Sequence, residues 1–185
     1  VAGPHAHIAR LKHPRAITGG VLHPLASYLL HRGLPTLELR VLRMQQTADI
    51  LATRLAESPR VQRVFYPGMP GQDPRGQMAG PGSILSFTLV EDSADAMQRF
   101  ISRLRLITPA VSLGSTDTLI QPPAALTHRA VDPAARAASH ITPGLARLSV
   151  GLESADDLWQ DLAQALDGVA RAAPIHTGEM LASTA

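Results

Sequence analysis

Cysteine is absent from the 185 residues, which excludes disulfides, thiolate zinc sites and a cysteine nucleophile within this chain and leaves the redox compartment open. Lysine is nearly absent: Lys12 is the one lysine among 17 basic residues, and the rest are arginine. Long apolar runs are missing too, since no stretch approaches the roughly 18 residues of a membrane span and the start lacks the basic-then-apolar order of a signal peptide. A soluble chain with no membrane partner is expected. Excess charge is small: 17 basic against 15 acidic residues leave a formal +2, and no dense Lys/Arg stripe accompanies it, so a nucleic-acid partner is not expected. What is present in quantity is apolar side chain, 45% of the total, enough to fill a sizeable core in one domain or in one large domain plus a small one. The chain begins Val1-Ala2-Gly3 without methionine, which reads as a processed start or as a piece of something longer.

Periodicity and punctuation give the elements. HAHIARLKHPR (5–15) reads as a short helix ended by Pro14, and a second helix runs from near Pro24 to Gly33, a good terminating residue. The longest helix is expected from Pro35 to about Ser58, with Leu37, Val41, Met44, Ala48, Leu51 and Leu55 forming one buried stripe. VQRVFY (61–66) and SILSFTLV (83–90) read as strands on either side of a Gly/Pro-rich surface loop, and Ser93 caps a helix to about Leu104. Short strands and turns fill 105–128, Asp132-Pro133 opens a short helix, and LARLSVGL (145–152) is a strand. Ser154 with Asp156 and Asp157 then opens a last helix to about Ala172, with Leu158, Leu162, Leu166 and Val169 inward, followed by an aperiodic tail. The order predicts a mixed α/β fold, a small sheet with helices on one face behind a helical segment.

Several chemically suggestive clusters carry little weight. His5, His7 and His13 lack an accompanying carboxylate; the glycines of 68–82 match neither phosphate-binding pattern; Ser112, His128 and Asp132 lack a nucleophile elbow. Arg147 is more informative, because it interrupts the apolar strand Leu145-Ala146-Arg147-Leu148-Ser149-Val150. A guanidinium is costly to bury without an anion, and its planar fork suits a carboxylate or phosphate. Alternation alone puts Ala146, Leu148 and Val150 inward and Arg147 outward, so an edge strand with Arg147 in water is the competing reading.

The segments VSLGSTDTLIQPPAALTHRAVDPAAR and LARLSVGLESADDLWQDLAQAL, with TGGVLHPLASYLLHRGLPTLELR, VFYPG and ILSFTL upstream, together resemble the C-terminal part of the cystathionine γ-synthase, cystathionine γ-lyase and methionine γ-lyase family of pyridoxal-phosphate enzymes. The resemblance covers about residues 1–170 through several motifs in register. It implies the C-terminal part of a fold-type-I, aminotransferase-like α/β enzyme: 1–35 as the end of the large cofactor-binding domain, 36–173 as the small C-terminal domain with its long linking helix, and 174–185 as a tail.

By the same resemblance, Arg147 of RLSVG binds the substrate's α-carboxylate, Ser112 of SLG supports it through its backbone or hydroxyl, and Thr127 of the TH pair orients the site. The implied cofactor is pyridoxal 5′-phosphate and the implied reaction is elimination or replacement at Cγ of a sulfur-containing amino acid, in a cytoplasmic homotetramer or with the upstream half of the same enzyme. No catalytic residue is placed in this chain: the family's Schiff-base lysine sits in an S-x-T-K segment that is not here, and Lys12 does not match it. Val111 stands where many cystathionine-acting members carry glutamate, which points toward methionine γ-lyases or O-acylhomoserine sulfhydrylases. Pro122 and Ala125 replace the family's His and Ser, and the 67–82 loop keeps only Gln77-Met78 of a longer element. The reading from a different class is a non-catalytic carboxylate-binding or assembly module without cofactor.

Overall fold

Prolines and glycines set the helix boundaries in the first part of the chain. In a computed structural model, which describes residues 3–72, 76 and 78–169, α1 spans His5–Thr18, α2 Pro24–Gly33 and α3 Leu37–Ala56, with a 3-10 turn at Leu34–Thr36 between the last two. Pro14 does not end α1. Its fixed φ suits a helix and the Thr18 hydroxyl donates to its carbonyl at 2.8 Å, so the helix runs on to Gly19, whose φ of 70° supplies the left-handed stop. The described residues divide into two units between Leu39 and Arg40. In the first unit neither α1 nor α2 buries a residue, and Leu22, Leu25, Tyr28 and Leu29 are exposed.

The second unit is built on a five-stranded sheet of order β1-β2-β5-β4-β3, where β1 is Val61–Phe65, β2 Ile84–Leu89, β3 Thr108–Pro109, β4 Leu119–Gln121 and β5 Leu145–Ser149. The β3–β4 pair is parallel and the other pairs are antiparallel, which makes the sheet mixed. Alternation sends Leu85, Phe87, Leu89, Ala146, Leu148 and Val150 to one face, where they form the core with α3, α4 (Ala94–Arg103) and α6 (Ala155–Leu166). The expected inward residues of α3 are buried from Met44 to Leu55, joined by Thr47 and Ala52, whereas Leu37 and Val41 at its start are exposed. Phe87 and Phe100 meet edge to face at 5.8 Å, an arrangement favoured by their ring quadrupoles.

Capping follows the residue types with one exception. The Ser93 hydroxyl accepts from the Ala96 amide at 3.1 Å, and Asp132 accepts from Ala134 and Ala135 at the head of α5 (Pro133–Ala138). Ser154 makes no such bond; Asp156 and Asp157 complement the helix dipole there instead. β5 ends at Ser149 rather than 152, because the Gly151 amide turns away to donate to the Thr118 hydroxyl at 2.8 Å. The last helix ends at Leu166, capped at Asp167, rather than at about Ala172, because the chain turns at Asp167–Gly168, and the 174–185 tail lies outside the described residues. Among the described residues no helix is long and apolar enough to cross a membrane.

Candidate carboxylate-binding site

The sheet's second face carries the site. Arg147 projects from central β5 on the side opposite the core and stands directly across from Ser86 on β2 and Gln121 on β4. Its strand neighbours Ala146 and Leu148 are fully buried, and Leu145 and Ser149, on its own face, are buried as well. The competing reading of an edge-strand arginine in water does not hold, since β5 has strands on both sides and Arg147 is half-buried.

The face is covered by the segment that follows β3. The Ala110 amide donates to the Ile120 carbonyl at 3.0 Å and the Gly114 amide donates to the Ser149 hydroxyl at 3.0 Å, so residues 110–114 hang across the ends of β4 and β5. The φ of 75° at Gly114 is accessible to glycine at little cost. This strap brings the Val111 and Ser112 carbonyls to Arg147 Nη2, at 3.0 and 2.9 Å. The sequence-predicted residues therefore converge: Val111 and Ser112 touch Arg147 through their backbones, and Thr127 reaches it through Gln121. The Gln121 amide is oriented by the donors around it, its oxygen accepting from Arg147 Nη1 at 3.0 Å, Arg147 Nη2 at 3.1 Å and the Thr127 hydroxyl at 3.3 Å. Gln121, Glu153 and Asp161 were not picked out from the sequence, although a glutamine in an apolar LIQ strand and an aspartate inside an amphipathic helix are the available signals.

Glu153 holds the head of β4 by accepting from the Thr118 amide and hydroxyl, both at 2.7 Å. Asp161 holds the entry to β3 by accepting from the Arg105, Leu106 and Ile107 amides, all at 2.9 Å. Burial pushes the Asp161 carboxyl up, but these three amides and Gln164 outweigh it and keep it below the usual carboxylate range.

Arg147 differs from Arg54, Arg60 and Arg99 in its charge balance. Arg54, Arg60 and Arg99 each meet a carboxylate, Asp156, Asp167 and Glu91 respectively, at 2.6 to 2.9 Å. No carboxylate pairs with Arg147 among the described residues, and its acceptors are neutral oxygens. Burial pushes its guanidinium below its ordinary range, the signature of a cation short of solvation, yet arginine stays charged at physiological pH. Beside it opens a cavity of about 310 Å³, walled by Phe65, Pro123, Ile141 and Leu145, with Ser86, His128, Ser139, His140 and Arg147 as its polar residues. An apolar cleft with one partly desolvated, unneutralised guanidinium suits a small organic anion that presents a carboxylate.

The family model described as Cys/Met metabolism PLP-dependent enzyme matches residues 2–167. An L-methionine gamma-lyase of Brevibacterium sandarakinum is 51% identical over 168 residues, covering 89% of this chain and 42% of that protein. A cystathionine gamma-lyase of Bacillus subtilis (strain 168) is 42% identical over 156 residues, covering 82% of this chain and 41% of its own length. Among solved structures, a cystathionine gamma-lyase of Micromonospora echinospora superposes with a TM-score of 0.83 at 39% identity, covering 90% of this chain and 44% of that one. The chain thus spans about two fifths of the length of the curated relatives it matches.

Proposed function

The chain belongs to the Cys/Met metabolism PLP-dependent enzymes, and on that footing we propose that it forms the substrate-carboxylate part of an enzyme that eliminates or replaces the Cγ substituent of a sulfur-containing amino acid, most like a methionine γ-lyase or a cystathionine γ-lyase. The observation that carries this reading is the half-buried guanidinium of Arg147, held in place by neutral oxygens and without a carboxylate partner among the described residues. The α-carboxylate of an amino acid supplies the missing charge. Ser112 and Thr127 act by fixing the arginine, Ser112 through its carbonyl, and Val111 presents an exposed side chain beside it that bears on substrate choice.

Pyridoxal phosphate is the family's cofactor and its electron sink. The unit that carries Arg147 does not fit as its anchor: it contains no lysine, since Lys12 belongs to α1 in the other unit. The part assigned to this unit is therefore to bind and orient the amino acid by its carboxylate, with the cofactor's attachment supplied elsewhere. The proposed division is 1–35 as the end of the cofactor-binding domain and 36–173 as the small C-terminal domain, within a homo-oligomer. A crystal structure of a relative from Lactobacillus plantarum, a cystathionine gamma-lyase complexed with L-serine, supports an amino acid as the ligand class.

The test is a fusion of this chain to the upstream portion of the Brevibacterium sandarakinum relative, assayed for α-keto acid release from methionine, homocysteine and cystathionine. Arg147→Ala removes a charge-assisted contact of up to about 3 kcal/mol, so KM is expected to rise by up to about 100-fold. Unchanged kinetics would remove Arg147 from the site, and a folded, cofactor-loaded fusion inert toward all three substrates would point to the non-catalytic module.

A further inference from the structure

Resting on the reading of Arg147 as the substrate-carboxylate grip, we propose that Gln121 is the positioning residue of that grip and that Thr127 and His128 act through it. Gln121 is 1% exposed at the C-terminal end of β4, and a carboxamide is costly to bury unless its oxygen and nitrogen find partners. Its oxygen takes both terminal nitrogens of the facing guanidinium, at 3.0 and 3.1 Å, and also accepts from the Thr127 hydroxyl at 3.3 Å. Thr127 has a single proton, which this bond uses. Its contact with His128 Nδ1 at 3.0 Å is therefore one in which the imidazole donates, which fixes the tautomer with Nδ1 protonated. Donors thus run from His128 to Thr127 to Gln121, where they meet those of Arg147.

From the other side the Val111 and Ser112 carbonyls hold Nη2. With Nη2 gripped from two directions the guanidinium plane cannot swing, and among the described residues Nε–H on one edge and the outer Nη1 proton on the other are left as separate donors for a ligand. A preoriented donor binds an anion without losing rotamer freedom at the moment of binding, so the chain acts on substrate affinity ahead of turnover.

The experiment uses the fusion enzyme with methionine as substrate and measures kcat and KM separately, with melting temperature as a folding control. Thr127 is exposed, so Thr127→Val folds; losing its donor is expected to raise KM about five- to tenfold with kcat within about twofold, the scale of one neutral hydrogen bond. Thr127→Ser restores the donor and is expected to recover most of that loss. Gln121→Leu is expected to raise KM more than Thr127→Val does, yet to add nothing further in an Arg147→Ala background, because both changes then remove the same contact. Additive losses, or a Thr127→Ser enzyme as impaired as Thr127→Val, would show a purely structural role and overturn the proposal. If Arg147→Ala raises KM while Gln121→Leu and Thr127→Val do not, this proposal alone fails. If Arg147→Ala leaves KM unchanged, the reading beneath it fails too.

Discussion

Replacing Asp161 with alanine offers the clearest test of how the fold holds its site. The carboxylate is 6% exposed and ties three consecutive amides to α6, those of Arg105, Leu106 and Ile107, immediately before β3 and the strap that carries Val111 and Ser112. Ile107 is buried, so its orphaned amide bears the full desolvation cost of about 1–3 kcal/mol; the other two amides return to water and lose only the net bond, roughly 1 kcal/mol each. The expected loss is about 3–5 kcal/mol. Urea unfolding of the full chain, followed by fluorescence of the lone tryptophan, Trp159 on the same helix, should show it as a midpoint lower by roughly 2 M at unchanged slope. The sign with pH follows from the depressed carboxyl. Its contribution is complete above the unfolded aspartate value of about 3.9 and disappears as pH falls through the lower native value, so wild type and variant should converge in acid. A loss below about 1 kcal/mol at pH 7, or a gap that persists undiminished to pH 2, would refute the reasoning.

Three further substitutions follow from local geometry. Ser93→Ala removes the cap of α4 and should cost about 1 kcal/mol, read as a melting temperature lower by roughly 2–4 °C. Phe87→Ala empties a fully buried site against Phe100 and should cost about 3–5 kcal/mol in urea titration. His140 holds a φ of 56°, which a side chain adopts at a cost of about 1–2 kcal/mol, so His140→Gly should stabilise the fold by about 1 kcal/mol. A net loss of about that size would mean that the ring contact with Phe65, at 6.1 Å, outweighs the strain.

How far the fold could be read in advance depended on whether the deciding interaction was local. Ser93 and Asp132 cap where their residue types predict, because a cap is set within three residues. The α3 stripe was legible from Met44 to Leu55 but not at Leu37 and Val41, since periodicity marks a face without saying how far the neighbouring sheet extends beneath it. Pro14 was misread as a stop because its lost hydrogen bond is local while the actual stop, Gly19, lies a turn further on. Asp161 and Glu153 were illegible for the opposite reason: their partners lie 54 to 56 and 35 residues away, at Ile107, Leu106, Arg105 and Thr118.

Arg147 shows the same limit at the site itself. Alternation along β5 correctly sends it away from the helical core, yet that face is not open water, because the strap from Ala110 to Gly114 reaches over it and leaves Arg147 half-buried. A pattern of period two decides which face a side chain takes; what covers that face is decided by segments far along the chain. The motifs therefore brought Val111, Ser112, Thr127 and Arg147 to notice as separate words, and Gln121 was passed over as an ordinary strand residue. Its position directly opposite Arg147 is a matter of strand register, and register is where the grip acquires its geometry.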